Sequence, residues 1–529
     1  KLEGDDIPVS QMSFDGTLPT GTSKLEKRGV APRVPNWIND NCIQCNQCVQ
    51  SCPHAAIRAK MIEPEKMADA PETFDAIDYK ASKQKPLKYK IQVFIEDCQG
   101  CGVCIETCPA KTKALEWSSI EAEREAGENA NEEFFETLPY GTLDGSSEEN
   151  VKGMQFRQPL FEFSGACAGC GETPYVKLVT QICGDRMVVA NATGCSSIYG
   201  GTFPTIPYCK NELGRGPAWG NSLFEDNAEY GFGMRLAVDS NRKLLETYVE
   251  KALSMGVSAD LSGALKAQME MWGAKDAAAI AGQSKVGELV KAEAAKATGE
   301  LKPVLAKIVE LKDYFVDKSV WIFGGDGWAY DIGYGGVDHV VAMGKNVNIL
   351  VVDTEVYSNT GGQASKATPI AAVAKFANSG MQLTKKNMGF MCMSYGYVYV
   401  ASIALGSNRN QAQKALMEAE AYDGPSIVFA YAPCINHGID MSKSQLEEKR
   451  AVDAGYWPLY RYNPAEEEGK KFKWETKDPT ASYQDFIRSE RRYTALKATN
   501  PEHAEELFAT AEEDAKKRME FYKKLGDIM

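Results

Sequence analysis

Val320-Trp321-Ile322-Phe323-Gly324-Gly325-Asp326-Gly327 is an apolar tetrapeptide that runs straight into a glycine-rich turn carrying one acid. A short, continuous apolar run bounded by turn residues reads as a strand buried on both faces, the habit of parallel sheets. Three more segments read the same way: Met187–Ala190, Asn348–Val352 and Ser426–Ala430. Longer helical patterns separate them, so the expected fold class is α/β, with a mostly parallel sheet and helices on its faces. Residues 240–316, rich in Ala, Lys, Glu and Leu, read as a helical insertion between two strands of that sheet. The stretch Asn387–Asn408 carries no formal charge, but its Ser394, Ser402 and several Gly and Tyr residues mark it as buried α/β core rather than a membrane span.

In a parallel sheet, ligands gather at the carboxyl ends of strands. Cys195, Asp326, Thr354 and Cys434 each sit just past such an end. The turn holding Thr354 reads Asp353-Thr354-Glu355-Val356-Tyr357-Ser358-Asn359-Thr360-Gly361-Gly362-Gln363. A carboxylate, a hydroxyl and a backbone carbonyl can hold Mg²⁺ through oxygen, and the ion can carry a diphosphate. Glycines such as Gly325 and Gly327 let the backbone approach phosphates. Ordinary Gly-rich βα turns explain the same residues, and the dinucleotide pattern G-x-G-x-x-G is absent at Gly325. Cys167 and Cys170 sit in Ser-Gly-Ala-Cys-Ala-Gly-Cys-Gly-Glu. Spacing alone leaves that pair open as redox-active or zinc-binding, and leaves Cys195 and Cys434 open as core residues.

The N-terminal part is patterned differently. Cys42, Cys45, Cys48 and Cys52-Pro53 form one run; Cys98, Cys101, Cys104 and Cys108-Pro109 form a second of the same design, an internal duplication. Both follow C-x2-C-x2-C-x3-C-P, the spacing of bacterial ferredoxins, in which the fourth cysteine ligates the other cluster. Cys42, Cys45, Cys48 and Cys108 are therefore assigned to one [4Fe–4S] cluster, and Cys98, Cys101, Cys104 and Cys52 to a second. Structural zinc would use two separated CxxC pairs and four ligands, which fits two complete runs poorly. Lys80, Lys83, Lys85, Lys88 and Lys90 lie between the runs, either as a solvated loop or as a basic patch that could steer an acidic electron acceptor.

A chain of 529 residues suggests three or four domains. Its net charge of −13 argues for a soluble protein and against general nucleic-acid binding. With four histidines it offers nothing for a hydrolytic triad. The fifteen cysteines are not spaced as disulfide staples, which a chain this long does not need. No secretory signal opens the chain, and a start at Lys1 rather than Met suggests a fragment, a processed chain or an internal piece of something longer. The division expected is an extended lead-in at 1–35, a small α+β ferredoxin-like domain at 36–117 and an acidic connector at 118–154. An α/β domain then spans 155–440, followed by a charged, strand-poor helical arm at 441–529, with Ala504, Leu507, Phe508 and Ala511 on one helix face.

The Gly-Asp-Gly turn followed by Asp-Thr-Glu-Val-Tyr-Ser-Asn-Thr-Gly-Gly-Gln resembles the thiamine diphosphate domain of the 2-oxoacid:ferredoxin oxidoreductase family. Cys-Ala-Gly-Cys-Gly-Glu and Ala-Thr-Gly-Cys-Ser-Ser match the same family. With the ferredoxin module N-terminal to them, the chain is similar to the C-terminal half of pyruvate:ferredoxin oxidoreductases, over about residues 5–460. The resemblance implies oxidative decarboxylation, in which pyruvate, coenzyme A and oxidised ferredoxin give acetyl-CoA, CO₂ and reduced ferredoxin. It implies Mg²⁺ on Asp326, Thr354 and the carbonyl of Val356, a thiamine site lined by Glu172 and the Gly194–Ser197 turn with Ser196 and Ser197, and a substrate contact from Asn359. It also implies a third [4Fe–4S] cluster on Cys167, Cys170, Cys195 and Cys434, leaving Cys183, Cys209 and Cys392 to core packing. A cytoplasmic homodimer that reduces ferredoxin or flavodoxin is implied too. The carboxylate that activates the aminopyrimidine and the grip on pyruvate lie, in that family, in domains that this sequence does not resemble. The alternatives are the same chemistry on another 2-oxoacid, or an electron-carrier module without turnover of its own.

Overall fold

The twin cysteine runs and the glycine-rich turns at Asp326 and Thr354 fall in different units of the computed structural model, which describes residues 4–82 and 85–528. Lys1 and Lys83 lie outside the described residues. One unit comprises Lys1–Gln181, Ser197–Gly216 and Asp440–Ser444; the other comprises Ile182–Ser196, Pro217–Ile439 and Gln445–Met529. The motif-based division at 36–117 and 155–440 follows chemistry along the chain, whereas this one follows packing.

The first unit holds five strands: β1 (Arg33–Trp37), β2 (Ile57–Ile62), β3 (Ile77–Asp78), β4 (Lys88–Val93) and β5 (Leu115–Ser119). β1 pairs antiparallel with β5, and β2 and β3 flank β4. In β2, Ile57, Ala59 and Met61 alternate with Arg58 and Lys60, yet every residue is buried. The charged face is covered by the acidic segment that follows. Arg58 pairs with Glu162, and the Lys60 ammonium donates to the carbonyls of Phe135 (2.7 Å) and Leu138 (2.6 Å). Residues 118–154, expected as an acidic connector, are folded into the unit. They form helices Ile120–Glu125, Glu128–Thr137 and Val151–Met154, and they bury Ile120, Phe135 and Leu138. Their acidity misled because a buried cationic strand face needs that charge.

The second unit is built on eight strands: β6 (Met187–Ala192), β7 (Ala218–Ser222), β8 (Ser319–Gly325), β9 (Asn348–Asp353), β10 (Tyr399–Ile403), β11 (Ser426–Tyr431), β12 (Tyr460–Tyr462) and β13 (Phe472–Trp474). Their order is β13-β12-β10-β11-β9-β8-β6-β7; β6 to β11 are parallel, and β12 and β13 join antiparallel. Ile349 pairs with Ile322 on one side and Ile427 on the other. The uncharged stretch 387–408 supplies helix Met388–Met393 and the interior strand β10. Among the described residues, no helix is long and apolar enough to cross a membrane.

Between β7 and β8 come helices Asn227–Met255, Ala259–Glu270, Ala277–Ala294 and Leu301–Leu311. Ser258 and Asp276 cap the second and third through their side-chain oxygens. The four bury their own core of Leu245, Leu261, Val286 and Ile308. The C-terminal arm differs from its sequence reading. It supplies two strands to the sheet edge, and Ala504, Leu507, Phe508 and Ala511 of helix Pro501–Gly526 enter the main core. Three-residue strands centred on Arg461 and Lys473 leave no apolar run to read.

Candidate cofactor sites

Strands β6, β8, β9 and β11 are consecutive neighbours in the sheet. Cys195, Asp326, Thr354 and Cys434 follow those four strands in turn, so one edge of the unit collects all four. Asp326 is fully buried. Its Oδ1 accepts from the Thr354 amide (3.2 Å) and hydroxyl (3.1 Å), and its Oδ2 accepts from Ser365 (2.6 Å). The Thr354 hydroxyl also lies 3.1 Å from the Val356 carbonyl. Carboxylate, hydroxyl and carbonyl oxygens thus meet at one point. Burial, with Asp353 nearby, pushes the Asp326 carboxyl well above the usual carboxylate range. Lys385 already pairs with Asp353 (2.8 Å), and the hard oxygen donors around Asp326 suit Mg²⁺.

Glu355, between the two ligand candidates, has a φ of 62°, a left-handed conformation that costs a non-glycine residue about 1–2 kcal/mol. Its carboxylate meets Lys385 (3.0 Å), Arg492 (2.9 Å) and the Tyr456 hydroxyl. Burial opposes the charge, but Lys385 and Arg492 hold Glu355 down to about 2. His437 Nε2 lies 2.8 Å from the Thr354 carbonyl. Ser365, Lys385, His437 and Arg492 escaped the sequence reading because each acts from a distant, unpatterned segment; only Glu355 stood inside a visible motif. Gly327 has a nearer cause than phosphate approach, since a Cβ there would meet the Tyr357 ring at 2.5 Å. At Gly325 and Gly194 the space is open.

The remaining expected contacts divide by unit. Cys195 Sγ lies 3.3 Å from the Ser358 hydroxyl and 3.9 Å from Asn359 Oδ1, with Asn359 itself exposed. Ser196 Oγ accepts from Asn191 (2.7 Å). Cys434 Sγ is 3.6 Å from Asn436. In the first unit, Glu172 is buried and accepts from the Tyr199 hydroxyl (2.9 Å); burial raises it to about 7 against that bond. Ser197, Cys167 and Cys170 belong to the first unit, Cys195 and Cys434 to the second. Cys183, Cys209 and Cys392 are buried.

Cys42, Cys45, Cys48 and Cys108 line one cavity of about 330 Å³ together with Trp37 and Tyr89. Backbone amides point at sulfur in both runs: Gln44 to Cys42 and Gly100 to Cys98, each at 3.4 Å. Burial lifts the Cys98 thiol to about 12 and Cys101 to about 11, with Cys52 close to both. The thiolate is the ligand form, so iron binding must offset that burial cost. Among the described residues, no three His, Cys, Asp or Glu side chains converge as ligands of a single ion.

The comparisons with known proteins define the class. Residues 36–109 match a 4Fe-4S dicluster domain and residues 305–430 match the C-terminal TPP binding domain of thiamine pyrophosphate enzymes; residues 1–31 match a domain of unknown function. The chain thus joins a 4Fe-4S dicluster domain to a thiamine pyrophosphate-binding domain. It is 57% identical to the pyruvate:ferredoxin oxidoreductase of Moorella thermoacetica, covering 99% of this chain and 45% of that protein. It is 49% identical to the pyruvate-flavodoxin oxidoreductase of a Nostoc species, over 99% of this chain and 44% of that one. Over its whole described stretch the chain is similar to pyruvate:ferredoxin and pyruvate-flavodoxin oxidoreductases, and it spans somewhat under half the length of these relatives.

Proposed function

We propose that this chain is the electron-transfer and diphosphate-binding part of an enzyme that oxidatively decarboxylates pyruvate. With coenzyme A as co-substrate, the products are acetyl-CoA, CO₂ and reduced ferredoxin or flavodoxin. The observation that carries this reading is the meeting of Asp326, Thr354 and Val356 oxygens at adjacent strand ends, in a chain that also holds two complete cubane-spaced cysteine runs. Bound thiamine diphosphate supplies the electron sink for bond cleavage beside a keto carbon. The protein's part is placement. Asp326, Thr354 and the Val356 carbonyl hold Mg²⁺. Glu355, gripped by Lys385 and Arg492, fixes the turn that aims two of those oxygens. Asn359, beside Cys195, reaches the substrate side. The two cysteine runs carry electrons away one at a time.

The thiamine roles of Glu172, Gly194, Ser196 and Ser197, and a third cluster on Cys167, Cys170, Cys195 and Cys434, rest on sequence motifs alone. The aminopyrimidine-activating carboxylate and the grip on pyruvate are assigned to further domains, and the working enzyme to a cytoplasmic homodimer. The test is thermal unfolding of the anaerobically purified chain with Mg²⁺ and thiamine diphosphate. A ligand at a hundred times its Kd should stabilise the folded state by about 2.7 kcal/mol. Asp326→Ala should lose that gain while keeping its iron; an equal gain in the variant overturns the site. Iron analysis decides the third cluster, with about twelve irons per chain if it forms and about eight if it does not.

A further inference from the structure

Lys177 lies on helix Thr173–Cys183, which starts directly after Cys170 and Glu172. It is 1% exposed. Its ammonium donates to the carbonyls of Val49, Gln50 (2.9 Å) and Cys52 (3.0 Å). Val49 and Gln50 belong to the last turn of helix Gln47–Ser51, whose carbonyls lack helical partners. Cys52 is the cysteine assigned to the second-run cluster. The same strand of chain is tied down twice more: the His54 carbonyl accepts from the Phe163 amide (2.8 Å), and His54 Nε2 lies 3.0 Å from the Ala166 carbonyl. Within the first unit, a buried cation is therefore fixed on the backbone of a cysteine assigned as a cluster ligand.

We propose that Lys177 raises the reduction potential of the cluster that Cys52 ligates, as a positioning and electrostatic residue that does not itself touch the iron. This rests on the reading of Cys52 as a ligand of the second-run cluster. Reduction adds one electron, and one negative charge, to the cubane and its thiolates; no proton or co-reactant is needed. A nearby fixed positive charge favours that state. Burial keeps water and salt from screening the attraction. Near the first-run cluster the bonded cation is open to solvent: Lys80, exposed, donates to the Cys42 carbonyl at 3.2 Å, Lys152 is only half-buried, and buried Lys90 lies against the Trp37 ring. The cluster assigned to Cys52 has a buried cation bonded to a ligand's own carbonyl.

A purely structural reading is available, since Lys177 also caps a helix end. Redox titration of the full 529-residue chain, followed by electron paramagnetic resonance with iron analysis alongside, separates the two. Lys177→Gln keeps a polar donor but removes the charge; Lys177→Arg keeps the charge. Lys177→Gln should lower the reduction equilibrium constant of one cluster by about tenfold or more, which is about 59 mV per tenfold for a one-electron couple. The other waves should stay in place, and Lys177→Arg should stay within about threefold of the parent. Four outcomes overturn the proposal: no wave moves, all waves move together, Arg shifts as Gln does, or the neutral variant loses its iron while Arg retains it. A parent chain without cubane iron would instead sink the reading of the cysteine runs themselves.

Discussion

The two cysteine runs share one spacing and reach the same backbone shape by different chemistry. Two and four residues after its first cysteine, each run turns through the left-handed region: Gln44 (φ 57°) and Asn46 (φ 59°) in the first, Gly100 (φ 63°) and Gly102 (φ 79°) in the second. Glycine adopts that shape freely. The first run overrides the cost with side-chain anchors. Gln44 donates to the Asp78 carbonyl (2.7 Å) and accepts from the Lys80 amide (2.9 Å). Asn46 accepts from the Tyr89 hydroxyl (2.7 Å) and donates to the Lys152 carbonyl (2.9 Å). The second run has no room for such anchors, because a Cβ at Gly100 would lie 3.0 Å from Ala31, and one at Gly102 would lie 2.8 Å from Trp117. A duplicated loop keeps its shape where the metal demands it and lets the means of holding that shape diverge.

The sharpest break of this comparison is to cross it. Cys108 belongs to the second run in sequence but lines the cavity of the first three cysteines. Cys108→Ser should remove about four irons and the first-run cluster's redox wave, leaving the other, and Cys52→Ser should do the mirror image. Iron analysis with redox titration reads this directly. If Cys108→Ser and Cys104→Ser abolish the same wave, the crossed pairing is wrong. Next in size is Gly102→Ala. Left-handed strain and the Trp117 clash together should cost about 2–4 kcal/mol, seen as a lower denaturation midpoint of the first unit. An unchanged midpoint would show that the Gly102 turn can relax and that glycine is not required there.

The 4Fe-4S dicluster domain was legible because a cubane dictates local cysteine spacing, and four strands because buried parallel strands are continuous apolar runs. What stayed hidden was everything fixed by distant partners. β10 lay inside an uncharged stretch that read as buried core without separating helix from strand, and β12 and β13 are too short to show a period. Lys385 and Arg492 carry no local pattern, yet they decide how Glu355 sits between Thr354 and Val356. Acidic residues 118–154 read as a connector because charge usually faces solvent; here Glu132 meets Lys27, and Glu136 lies 3.6 Å from Arg58.

Asn46→Ala tests the anchored loop. It keeps the left-handed strain, deletes both anchors and leaves the buried Tyr89 hydroxyl without that acceptor, which should cost about 1–3 kcal/mol. Asn46→Gly loses the same bonds but relieves the strain, so it should be the milder of the pair. Chemical denaturation of both variants gives the order. If Ala is no worse than Gly, the shape is imposed by the metal alone and the anchors are incidental.

The smallest effect is expected from the lysines between the runs, which could steer an acidic electron carrier. Lys90 is buried, with its ammonium 5.3 Å from the Trp37 ring and 5.1 Å from Phe74, and so cannot face a partner. Lys85 already pairs with Glu63 (3.0 Å) and Lys88 with Asp78 (2.8 Å), both near the surface. Exposed pairs of this kind contribute about 0–1 kcal/mol and are screened by salt. Charge reversal of Lys85 and Lys88 should therefore change the second-order rate of ferredoxin reduction by less than about threefold at 0.15 M ionic strength, with a neutral dye responding in the same way. A larger fall for ferredoxin alone, growing as salt is lowered, would restore a docking role to this loop.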